Sequence, residues 1–117
     1  MENSILKIYL SSSDKIGTDL VYELIVEKAK ASGISGATVY RGIMGYGPSS
    51  SHIHSSRFWE LTEKLPLVIE LIDTTEKINT FYVLMEEDFQ QLQKGCLITI
   101  EPIEIKLYKV GEKPKVD

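Results

Sequence analysis

Leu65-Pro66-Leu67-Val68-Ile69-Glu70-Leu71-Ile72, followed by Asp73 and then by Ile78, Phe81, Leu84 and Met85 at helical spacing, decides the fold of this chain. The first eight of these residues are apolar at nearly consecutive positions, which reads as a buried strand. Pro66 sits near its start, where a missing backbone donor is tolerated. Asp73 with Glu76 resembles a capping pair, with Asp in the Ser/Thr role. Phe89 and Leu92 extend the helix or form a short second piece, and Gly95 ends the segment.

Outward from this strand-helix unit the chain alternates. Ile5-Leu6-Lys7-Ile8-Tyr9-Leu10 reads as a first strand, mostly buried. Ser11 to Gly17 is a polar turn and Thr18 is placed to cap a helix. Leu20, Val21, Leu24, Ile25 and Ala29 repeat at helical spacing, with Glu23, Glu27, Lys28 and Lys30 mainly on the other face. Gly33 suits the helix stop. Ala37-Thr38-Val39-Tyr40 is a second strand with room to run to Met44. Cys96 to Glu101 is a fourth strand, Pro102 interrupts it, and Ile103 to Val110 alternates cleanly. The order β-α-β-β-α-β is the split β-α-β pattern, an α+β ferredoxin-like sandwich with an antiparallel sheet and both helices on one face. The other face is left open. The consecutive apolar residues of the third and fourth strands imply burial on both faces, and a partner subunit is the simplest cover.

The chain of 117 residues fits one domain, with a core over residues 4–110 and a frayed tail over 111–117. A net charge of −4 without a Lys/Arg cluster argues against nucleic acid as the main partner. Cys96 is the only cysteine, so an internal disulfide and thioredoxin-type chemistry are excluded. No signal pattern opens the sequence and no apolar run approaches the ~20 residues of a membrane span, so a cytoplasmic location is expected.

The second and third strands make a hairpin whose tip, from Gly45 to Lys64, holds roughly 20 residues where 2 to 5 suffice. A mobile, functional loop over about residues 46–64 is therefore expected. Residues 41 to 57, Arg-Gly-Ile-Met-Gly-Tyr-Gly-Pro-Ser-Ser-Ser-His-Ile-His-Ser-Ser-Arg, contain no carboxylate. The gap runs from Glu27 to Glu60, where overall composition would place about 4 or 5 acids. One reading is an anion site built from Arg41, Arg57, His52 and His54; the other is a neutral loop that lacks acids by chance. Gly42, Gly45 and Gly47 allow consecutive N–H groups to point at an anion, or equally form a bent strand end. Their spacing is neither the dinucleotide fingerprint nor a Walker loop. His52-x-His54 puts two imidazoles on one side of an extended segment, a pair suited to Zn, Ni or Cu that needs a third ligand from elsewhere. Arg57-Phe58-Trp59 either stacks on a base or anchors the loop. Ser49 to Ser51 beside His52 shows no nucleophile elbow and no orienting acid, so the chain is not expected to be an enzyme.

Leu6-Lys7-Ile8-Tyr9-Leu10, Val39-Tyr40-Arg41-Gly42-Ile43-Met44-Gly45-Tyr46-Gly47, Leu65 to Glu70 and Gly95 to Glu101 together resemble the uncharacterised PII-like family, the domain of unknown function numbered 190. The resemblance spans roughly residues 4 to 110, and Tyr-Arg-Gly-x-x-Gly-x-Gly is its most specific part. It implies a homotrimer similar to PII nitrogen-signalling proteins, with the sheets lining the interior. It also implies an ADP/ATP/AMP-type nucleotide, or another small anionic ligand, in clefts between subunits. Gly42, Gly45, Tyr46 and Gly47 would form the loop base, with Arg41 and Met44 among the ligand-binding residues, and Gly95 would sit at a turn that helps hold phosphates. The loop would engage a target protein such as a membrane transporter or an enzyme. Two features depart from PII proteins: the Thr/Gly-rich Asp-Gly-Lys turn is replaced by Gln93-Lys94-Gly95-Cys96, and the modified loop tyrosine has no counterpart. The architecture is also similar to that of trimeric divalent-cation-tolerance proteins, which keeps His52 and His54 as an alternative metal pair.

Overall fold

A computed structural model describes residues 2–47, 54–55 and 65–112. Strand β1 (Asn3–Ser11) pairs antiparallel with β7 (Pro66–Thr74) over nine residues, from Asn3 opposite Thr74 to Ser11 opposite Pro66. β8 (Leu97–Ile103) flanks β1 and β4 (Gly36–Arg41) flanks β7, giving the order β4-β7-β1-β8 with every neighbour antiparallel. Helices α1 (Val21–Ala31) and α2 (Thr75–Gln90) supply the second layer, and the ferredoxin-like α+β expectation holds.

Alternation of side chains along the central pair sorts the two faces. Leu6, Ile8 and Leu10 of β1 and Leu67, Ile69 and Leu71 of β7 are buried. They form one cluster with Val21, Ile25 and Ala29 of α1 and with Ile78, Phe81, Met85 and Phe89 of α2. Spacings of three and four residues put those helical positions on one stripe each. Leu84, read from sequence as part of the α2 stripe, is 56% exposed, because it falls one position off the row set by Phe81 and Met85.

The register also defines the open face. Tyr40, Val68, Tyr9 and Leu97 stand in one row across all four strands, and Tyr9, Tyr40 and Leu97 are exposed. The next row is polar: Thr38, Glu70, Lys7 and Thr99, with Lys7 3.6 Å from Glu101. The central strand β7 is thus buried on its helix face and half-buried on the other, and Tyr9 departs from the expectation of a mostly buried first strand.

Three local expectations are corrected, and one open alternative, on the length of α2, is decided. Thr18 does not cap α1. It lies in a two-residue turn with Gly17, at φ 64°, that joins the short strands β2 (Lys15–Ile16) and β3 (Asp19–Leu20), and Leu20 precedes the helix without a side-chain cap. A glycine with positive φ in the first turn position matches the twist of the hairpin; two-residue strands are too short to show a period. Thr74, not Asp73, caps α2 by accepting the Lys77 N–H at 3.2 Å. The Asp73 carboxylate accepts from the Thr74 N–H at 2.6 Å and from the Ser35 N–H at 2.9 Å, tying the α1–β4 turn to the end of β7. The helix continues through Phe89 to Gln90 as a single piece. Finally, β8 runs through Pro102, opposite Ser4, and stops at Ile103, so residues 104–110 are not a strand of this sheet. An outer strand loses no ladder partner when a proline faces outward.

Replacing Phe81, 1% exposed at the centre of the cluster, by alanine is expected to lower the unfolding free energy by about 3–5 kcal/mol in urea denaturation.

Candidate functional site

β4 ends at Arg41, opposite Leu67, and the chain turns through Gly42 towards the loop. The turn is pinned by the Gly42 N–H, which donates to the Pro66 carbonyl at 2.7 Å. A Cβ on Gly42 would lie 2.9 Å from Pro66 Cγ, so only glycine lets the backbone approach the pyrrolidine ring this closely. A Cβ on Gly45 would lie 3.6 Å from the same carbon, an ordinary contact. Pro66 is therefore the plate against which the loop base rests, a role its sequence position does not signal. β5 (Met44–Gly45) then pairs with β6 (His54–Ser55), Gly45 opposite His54, so the long excursion begins as a narrow two-stranded ribbon.

Around this ribbon Arg41, Met44, Tyr46 and Gly47 are exposed, as is Ile43, while Gly42 and Gly45 are half-buried. Arg41 makes no ion pair among the described residues. His52 and Arg57 lie outside the described residues, as do Ser49 to Ser51 and Trp59; of His54 the backbone is placed. Among the described residues no three His, Cys, Asp or Glu side chains gather as a metal-binding group.

The second part of the expected site sits elsewhere. Gly95 and Cys96 precede Leu97, which pairs with Tyr9 near the end of β1. They thus share the sheet end of Arg41, Gly42 and Pro66, but at the opposite edge. Three strand spacings of about 4.8 Å put roughly 14 Å between the outer strands. Between them lies a hydroxyl-rich turn. The Ser12 N–H donates to the Leu65 carbonyl at 2.9 Å, and Ser12 Oγ accepts from the Leu65 N–H at 3.0 Å. Asp14, 6% exposed, accepts from the Ser11 N–H at 3.0 Å, and its carbonyl receives the Val21 N–H at 2.9 Å. Burial, and after it the Asp14 carboxylate, raises the Cys96 thiol above its ordinary value. The run Ser11-Ser12-Ser13-Asp14 was legible as a turn, yet its bracketing of Leu65 and its effect on Cys96 were not. A depression of 120 Å³ lined by Ser32, Lys77, Phe81 and Leu84 lies at the other end of the sheet and belongs to the helix layer.

The family model of DUF190, described as an uncharacterized ACR, matches residues 3–105. The chain belongs to this family. Two UPF0166 proteins are similar to it. One, from Aquifex aeolicus, is 34% identical over 105 residues, covering 90% of this chain and 94% of its own. The other, from Methanocaldococcus jannaschii, is 45% identical over 75 residues, covering 64% of this chain and 68% of its own. Among solved structures the DUF190 chain resembles CPII, a nitrogen regulatory PII-like protein from Thiomonas intermedia K12, bound to ADP, AMP and bicarbonate. The TM-score there is 0.63 at 13% identity, over 93% of this chain and 98% of that one. A candidate PII-like signaling protein from Thermus thermophilus gives 0.59 at 18% identity, over 88% of each chain. At these identities the likeness is one of fold, and the fold is PII-like. No helix among the described residues is long and apolar enough to cross a membrane.

Two outcomes check this geometry. Gly42→Ala is expected to destabilise the protein by about 1–3 kcal/mol through collision with Pro66, whereas Gly47→Ala, with open space at its Cβ, stays within about 0.5 kcal/mol. Iodoacetamide is expected to alkylate Cys96 of the folded protein more slowly at pH 8 than the same residue in urea, because a raised thiol holds less thiolate; equal rates would contradict the burial argument.

Proposed function

We propose that this DUF190 protein is a non-enzymatic, PII-like regulator. It assembles as a homotrimer, binds an adenine nucleotide between subunits and signals through the loop that follows β4. The observation that carries the proposal is the split of the site. Arg41 and the Gly42–Gly47 backbone lie at one edge of the sheet and Gly95 at the other, at the same end. One protomer holds them too far apart for a single phosphate chain. Neighbouring copies arranged edge to edge would bring the β4 end of one beside the β8 start of the next. CPII, which shares the fold, was solved with ADP and AMP, which supports an adenine nucleotide as the ligand class.

In this arrangement Arg41 supplies fixed positive charge and loop-base N–H groups supply donors, in a stretch without carboxylates. His52, His54 and Arg57 would add charge from the loop. Occupancy would order the loop and change which protein it docks on, an order–disorder switch. The exposed Ile43, Met44 and Tyr46 would give such a docking surface its apolar content. The alternative, a divalent-metal protein using His52 and His54, predicts zinc rather than nucleotide binding.

Calorimetry with ADP, ATP, AMP and Zn²⁺ separates the two. Nucleotide heat that Arg41→Ala weakens by about tenfold or more supports the regulator, since a charge-assisted contact is worth roughly 1.5–3 kcal/mol. Affinity is expected to fall as pH rises through about 6.5 if a loop histidine holds phosphate, because only the protonated imidazole attracts it. Zinc heat abolished by His52→Ala/His54→Ala, with no nucleotide heat, would replace this proposal by the metal one.

A further inference from the structure

Helix α2 carries an apolar pair on the side turned away from the sheet. Ile78, Phe81, Met85 and Phe89 pack into the buried cluster, whereas Val83 is 67% and Leu84 56% exposed. Glu76, Thr80 and Leu84 follow one another at intervals of four, and so do Val83 and Glu87. The apolar pair therefore stands between a carboxylate one way along the helix and a carboxylate the other way. Beside it lies the depression of 120 Å³, lined by Leu84, Phe81, Thr80, Glu76 and Lys77 and by Ser32 from the end of α1. A space of that volume suits about one side chain.

The free charge of the helix layer is mostly of one sign. Glu23 and Glu27 of α1 and Glu76, Glu86 and Glu87 of α2 are exposed and join no ion pair among the described residues. The cations are largely committed. Lys28 lies 2.7 Å from Asp88, and Lys77 lies 4.0 Å from Asp73 and donates to the Gly33 carbonyl at 3.4 Å, which leaves Lys30. Ser32 is the C-cap of α1, so the negative end of that helix dipole also borders the depression. A space with apolar walls and a negative border suits an aliphatic stem with a cationic head, which is Lys or Arg. The same charges repel an anionic lipid surface. Neither helix of this chain carries more Lys and Arg than Asp and Glu, so a second copy does not present a basic helix to this face.

We propose that the outer face of α2 docks a basic amphipathic helix of another protein, with apolar side chains on Val83 and Leu84 and one Lys or Arg in the depression beside Glu76. Helices recognised in this way present anchors at spacings of three and four residues, which is the spacing of Thr80, Val83, Leu84 and Glu87. The apolar centre supplies affinity, and the surrounding carboxylates supply orientation and rate of encounter. The depression lies at the end of the sheet away from Arg41 and Gly42. The surface is thus separate from the loop, and its occupant is independent of the ligand that the loop takes.

Fluorescence anisotropy of a labelled peptide made of three Leu-Arg-Arg-Leu-Leu-Arg-Gln repeats, titrated with the full chain at low salt, provides the test. Two variants are compared with the parent: Val83→Asp/Leu84→Asp and Glu76→Gln/Glu87→Gln. None of these side chains belongs to the buried cluster, so both variants should fold, which circular dichroism verifies. The parent is expected to bind the peptide. The double aspartate variant should bind it at least about tenfold more weakly although it carries two further carboxylates, and the double glutamine variant about threefold more weakly. A double aspartate variant that binds as well as the parent, or better, reveals bulk charge attraction alone and overturns the docking site. A parent that ignores the peptide at about 1 mM, or takes equally well a peptide with Glu in place of Arg, also overturns it. Self-association of the parent that the double aspartate variant abolishes, seen by sedimentation, assigns the face to a second copy and overturns the foreign partner.

Discussion

The nine-residue antiparallel match of β1 and β7 is the constraint on which the rest of the molecule depends. Because side chains alternate, that one register sends Leu6, Ile8, Leu10, Leu67, Ile69 and Leu71 to the same side, and a slip of one residue would invert all of them. Both helices lie on that side because it is where their own stripes find cover. The same register brings Ser11 beside Pro66 and sets Arg41 opposite Leu67, so the long loop after β4 leaves the sheet beside the start of β7.

That arrangement leaves the other face with an apolar row, Tyr40, Val68, Tyr9 and Leu97, and makes β4 an outer strand of the described sheet. A small domain cannot cover both faces of a four-stranded sheet with two helices. The apolar row that the helices leave uncovered lies at the same end of the sheet as the turn through Gly42.

The loop base shows how a local conformational requirement is met. Gly42 is forced by the 2.9 Å approach of a would-be Cβ to Pro66 Cγ, and its N–H is satisfied by the Pro66 carbonyl. A proline at the start of β7 looked from sequence like a tolerated interruption. In the folded chain it is the surface on which the strand end turns. Asp14 and Cys96 are similar: distant in sequence, they come near each other because β1 and β8 are neighbours, and burial, with the Asp14 charge after it, raises the thiol.

Periodicity alone determined the order of elements, the two helical stripes and the long excursion after β4, since burial against one face imprints a period of two or of 3.6 on any chain. The glycine-rich motif was legible for the same reason that it is needed, because few other sequences allow such turns. What only the tertiary structure decided were matters of distance between separate strands: that Thr18 belongs to a hairpin, that Thr74 rather than Asp73 caps α2, that β8 passes through Pro102 and stops at Ile103. The same holds for Arg41 and Gly95, which share a sheet end at opposite edges. These depend on which strands pair and in what register, and pairing is a relation between segments that no single segment carries in its own pattern.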